Sequence, residues 1–190
     1  MHAAEHRGLR ELYVMSRQLR DHWRALAGRL EEAAPAEAEL LRAGSDEARA
    51  LIGELTDVTA ARGLHGRPAA QGLGARLASL HHLLLDTSLE VNQALRFAVL
   101  DVVHVVTLLD YLAALARDDG DEVLAIFLSG WAPRMRVHED AVRAGAITLG
   151  DRPDTAVGAA AGGVAGRLLH GAATVAGTLG EWVDGRAARS

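Results

Sequence analysis

The chain has 190 residues, no cysteine and a formal net charge of −5. A chain of this length can bury a core without covalent staples, and the missing cysteine excludes disulfides, thiolate metal sites and cysteine nucleophiles. The acidic balance argues against a dedicated nucleic-acid binder, which needs a basic footprint to neutralise phosphate.

Aromatic residues make up only 4% of the chain, so platforms for stacking bases or flat cofactors are scarce. All 20 basic residues are Arg, which rules out lysine Schiff-base chemistry. The abundance of Arg, Ala and Gly suggests a GC-rich bacterial origin. Met1 to Leu9 is polar, so no signal peptide is expected and the expected compartment is the cytoplasm.

Apolar residues recur at helical spacing and period-2 runs are missing, which predicts an all-α fold. A first helix is expected from about Arg7 to Glu32, with Leu9, Leu12, Tyr13, Leu19, Trp23, Leu26 and Leu30 as its buried stripe. Pro35 should end it. A second helix starts near Ala36, with Gly44 as a candidate interruption and Ser45 as the cap of the helical stretch beyond it. Gly63 to Gly74 is a Gly-rich connector that lacks the GK[ST] signature of a phosphate loop.

Ala75 to Asp118 holds no Gly or Pro, yet one helix of that length would run about 66 Å. A break is therefore expected at Thr87-Ser88-Leu89-Glu90, which fits a capping box with Thr87 as N-cap. The long helix after it, about residues 88–117, should be central. Asp118 to Asp121 is a turn, and a further helix continues to about Ile147, kinked or split at Gly130 and Pro133. The last helix is expected over roughly Asp154 to Asp184. The expectation is one antiparallel bundle of five or six helices over residues 1–185, with a frayed tail at 186–190.

Projection of the long helix puts Val91, Leu95, Ala98, Val99, Val102, Val105, Val106, Leu109 and Leu112 on one apolar arc. Glu90, Gln93, Asp101, His104 and Tyr111 line the other side, expected to face the interior or an interface because Phe97, Leu100 and Leu108 accompany them. Asp101 and His104 are three apart, close enough to share one metal or to pair. On the next helix His138 continues the stripe of Leu124, Leu128, Trp131 and Met135, beside Glu139. If the two helices pack antiparallel, His104 and His138 lie at similar depth. Glu90, Asp101, His104, His138 and Glu139 are therefore the candidate metal or ligand residues, and Fe, Mn and Zn suit their donor types.

Asp101-Val102-Val103-His104 resembles one half-site of the ferritin-like di-iron bundles, with Asp in place of Glu. The second Glu-x-x-His that this family uses is missing. The resemblance implies an oxidase or storage role. The competing reading is that these groups simply satisfy one another by hydrogen bonding. His82, Asp86 and Glu90 fall at i, i+4 and i+8, a second candidate ligand face if no break intervenes.

In the last segment Gly158, Gly162 and Gly166 repeat at spacing four, a groove that admits a close helix partner, and Trp182 could anchor it. No nucleophile-elbow serine is found. The leading expectation is a non-catalytic binding or assembly protein that associates with itself or with a protein partner through this C-terminal helix. The alternatives are a metal-binding bundle and a membrane-active C-terminal helix. Spanning by residues 91–116 is disfavoured because Arg96, Asp101 and Asp110 would each cost about 2.5 kcal/mol or more at a bilayer centre.

Overall fold

The computed structural model describes residues 2–64 and 89–160. These form five α-helices and one 3₁₀ turn, with no strand among the described residues. Four helices are long: α1 (Ala3–Leu30), α2 (Pro35–Ala61), α3 (Val91–Asp118) and α4 (Glu122–Thr148). The turn Leu149–Asp151 and the short α5 (Pro153–Ala156) come after them.

Each long helix buries the stripe that its spacing dictates. In α1 the buried residues include Leu9, Leu12, Leu19, Trp23, Leu26 and Leu30, as the 3.6-residue period requires. The His2 imidazole accepts from the Ala4 amide at 3.1 Å and caps the first turn. Pro35 opens α2 at its first position, where its fixed φ suits a helix start and no N–H is needed. The Ala34 amide still bonds the Leu30 carbonyl at 2.8 Å, so only a tight turn separates α1 from α2. Gly63 (φ +70) and Gly120 (φ +75) close α2 and α3 in the left-handed conformation that glycine adopts without a Cβ penalty.

The candidate interruption at Gly44 is absent, and α4 is not split at Gly130 and Pro133. Gly44 stays helical because its missing side chain makes room for Trp23: a Cβ there would lie 2.2 Å from the indole Cζ3. Ser45 is not a cap, since its hydroxyl donates to the Arg20 carbonyl of α1 at 3.0 Å. α4 likewise runs unbroken through Gly130 and Pro133. Both of those residues are exposed, so the ring that lacks a backbone donor faces outward. The cap of α3 is Glu90 and not Thr87, with the Glu90 amide donating to Gln93 Oε1 at 3.3 Å.

α1 packs against α2 and α3, and α4 packs against the same two. Arg117, Asp110 and Asn92 of α3 meet Ser129, Arg136 and the Ala146 carbonyl of α4. α3 is apolar and long enough to cross a membrane by length and composition, but half of its most apolar window is buried in the protein.

The Trp23–Gly44 contact is tested by a pair of substitutions. Gly44→Ala should destabilise by about 1–3 kcal/mol, the usual cost of overpacking. Gly53→Ala, also in α2 but with nothing within 4 Å of the new Cβ, should stabilise by about 1 kcal/mol. Urea melts of the two variants check both signs.

Candidate functional site

The polar residues expected along α3 do not share one environment. Asp101 turns toward α1, where it accepts from His22 Nδ1 at 2.5 Å, and the two side chains are only 13% and 7% exposed. His104, one turn further on, is half exposed and meets Glu11 of α1 at 3.3 Å. Tyr111, Phe97 and Leu100 point outward. Of the line expected to face the interior or an interface, Glu90, Gln93 and Asp101 are partly buried while His104 and Tyr111 are exposed.

His138 lies on the other side of α4's neighbourhood. Its Cβ is 3.4 Å from where a Gly44 Cβ would stand, so it faces α2 and not His104. Burial pushes the His138 imidazolium down from its ordinary pKa, and the Glu47 carboxylate opposes that shift. Glu139 bonds Arg143 along its own helix at 2.5 Å. Glu90 sits at the start of α3, paired with Ala159 in an isolated antiparallel bridge. The five candidate ligands therefore do not converge, and among the described residues no three His, Asp or Glu side chains gather closely enough to hold one ion.

Gly158 is not on a helix. The chain leaves α5 at Val157, and the Gly158 carbonyl accepts from the Val91 amide at 2.9 Å while the Ala160 amide donates to Leu89. The expected small-residue groove thus does not include Gly158. Gly162, Gly166 and Trp182 lie outside the described residues, as do His82, Asp86 and Thr87.

The buried polar residues are others: Glu5, Ser16, Glu37 and Ser45. Glu37, its side chain 4% exposed, pairs with Arg152 and ties the end of α4 to the start of α2. Glu5 lines a cavity of about 490 Å³ at one end of the helices, together with Arg62 and residues 119–123. There Arg62 reaches Asp121 at 2.5 Å. The Leu124 amide and the Arg62 guanidinium hold the Asp121 carboxyl below its ordinary range. On the α2–α4 side the Trp131 indole donates to Glu54 at 2.9 Å, and the Arg134 guanidinium stacks 3.6 Å from the ring centroid while bonding Glu47.

Sequence projection named Asp101 but not His22. The signal was available: His22 falls on the line of Met15 and Gln18, beside the apolar stripe of α1, and all three are partly buried. Which carboxylate it would meet depends on how α1 and α3 are placed, and spacing along one helix carries no such information. No protein-family model, curated protein or solved structure matches this chain.

Asp101→Ala should cost about 1–3 kcal/mol, because it removes the well-covered contact between α3 and His22 of α1. Chemical denaturation measures it. For His138 the folded pKa lies below the unfolded value, so as pH falls through about 6.5 the unfolded chain takes up the proton first and stability drops. His138→Gln should flatten that part of the stability–pH curve, which urea midpoints measured between about pH 7 and pH 5 would resolve.

Proposed function

We propose that this chain is a non-catalytic antiparallel helical bundle that acts by binding protein surfaces, either other copies of itself or a partner. The observation that carries this reading is the outward apolar stripe of α3. Phe97, Leu100 and Tyr111 are 42%, 61% and 48% exposed, with the half-exposed His104 between them. Apolar side chains grouped on one outer face mark association sites more often than catalytic ones. Asp101, His104 and Glu139 each bond a side chain of the same chain, which is also how polar groups of a structural scaffold are satisfied.

The test combines sedimentation velocity over a range of concentrations with affinity capture on the purified chain. Association that weakens in Leu100→Ser is the expected result. Because Leu100 is exposed, the substitution should change stability by no more than about 0.5 kcal/mol, which a far-UV thermal melt checks. A chain that sediments as a strict monomer and captures no partner would overturn the reading.

A further inference from the structure

The cavity of about 490 Å³ beside the first turn of α1 is walled by four carboxylates, Glu5, Asp119, Asp121 and Glu122, and by one guanidinium, Arg62. That guanidinium is already engaged. It bonds Asp121 at 2.5 Å and the Val58 carbonyl at 3.2 Å. Four carboxylates against one guanidinium give the wall a net negative charge, so the cavity draws cations and repels anions.

Glu5 carries the case for a ligand. It is only 1% exposed and lines the cavity, yet it has no hydrogen-bond or ion-pair partner among the described residues. Burying a carboxylate is unfavourable unless donors compensate it. The other covered glutamate, Glu37, has Arg152 for that purpose. The first turn of α1 favours negative charge at Glu5, but it places no donor in the cavity. The carboxylates also differ in depth: Glu5 is buried, while Asp119 and Glu122 are exposed at the rim.

From this arrangement we infer that the cavity binds a small organic cation with a primary ammonium head. The head donates to the Glu5 carboxylate, and the rest of the molecule leaves past Glu122. An ammonium has three N–H donors and no acceptor, which suits a wall made of acceptors. A second positive charge one short alkyl chain away would sit at the acidic rim, so a diamine gains more than a monoamine. A divalent metal fits less well, because among the described residues no three His, Asp or Glu side chains gather closely enough to hold one. The volume falls in the range of about 300–1,000 Å³ that small-molecule sites occupy. The site uses none of Phe97, Leu100 or Tyr111, so it goes beyond the association reading and does not depend on it.

Isothermal titration calorimetry of the full chain at an ionic strength of about 0.15 M provides the test. The probes are 1,4-diaminobutane, Nα-acetyl-lysine amide, tetramethylammonium and calcium chloride. Both primary ammonium probes should bind, the diamine more tightly, and tetramethylammonium, which has no N–H, should not. A tighter lysine amide would assign the head to a protein side chain while keeping the ammonium site. Glu5→Gln keeps the shape and removes the charge, and it should weaken diamine binding by about tenfold or more. Glu122→Gln should weaken it by a smaller factor. Asp140→Asn removes the same charge about 27 Å further along α4, beyond the reach of screened electrostatics, and should change binding by less than about twofold. Far-UV circular dichroism melts check that each variant folds. A wild type that binds neither ammonium probe would overturn the site. So would equal weakening by Glu5→Gln and Asp140→Asn, or binding of calcium or tetramethylammonium as tight as that of the diamine.

Discussion

One layer holds the four long helices to each other. Trp23 of α1 is fully buried, with its ring in the gap that Gly44 leaves on α2 and its indole N–H donating to the Ala98 carbonyl of α3 at 3.2 Å. His138 of α4 closes the same layer from the far side, its Cβ 3.4 Å from the Gly44 position. A large aromatic side chain that both fills volume and finds a hydrogen-bond partner fixes rotation and translation of its neighbours together, since protein interiors tolerate little misfit. This layer sets the depth at which α1 meets α3, and hence the meeting of His22 with Asp101.

The polar chemistry is distributed around that layer and not concentrated at one point. His22–Asp101 lies between α1 and α3, Glu37–Arg152 ties the start of α2 to the end of α4, and Arg62–Asp121 joins the end of α2 to the start of α4. Each pair links two helices or the turn beside them. Partial burial makes such links directional without isolating a charge. A metal needs several donors aimed at one spot, and among the described residues no three His, Asp or Glu side chains gather that way. The outer surfaces of α3 and α4 are where this protein departs from an ordinary helical domain, because both show large apolar side chains to the outside.

Much of the fold was legible in the chain alone. The apolar arc of α3 from Val91 to Leu112 is buried as projected, because a period of 3.6 leaves a helix one way to hide those side chains. Leu124, Leu128, Trp131, Met135 and Val142 behaved likewise on α4. Gly44 was misleading because it is read as a breaker from local backbone preference, and Pro133 does not split α4. In the folded protein, a neighbouring ring occupies the space at Gly44, and Pro133 sits on an exposed face that tolerates it.

The sequence by itself determined that the chain is helical, where its long helices lie within a few residues, and which stripe of each turns inward. Those properties depend on spacing along one chain and on caps and turns a few residues away. Only the tertiary structure decided which polar residues meet. Asp101 found His22 across 79 positions of sequence, and His104 found Glu11 across 93. His138 went to α2 although its helix also borders α3. Such pairings depend on the rotation of one helix about its axis relative to another. That rotation is set by the fit of Trp23 and its neighbours, which no periodicity records.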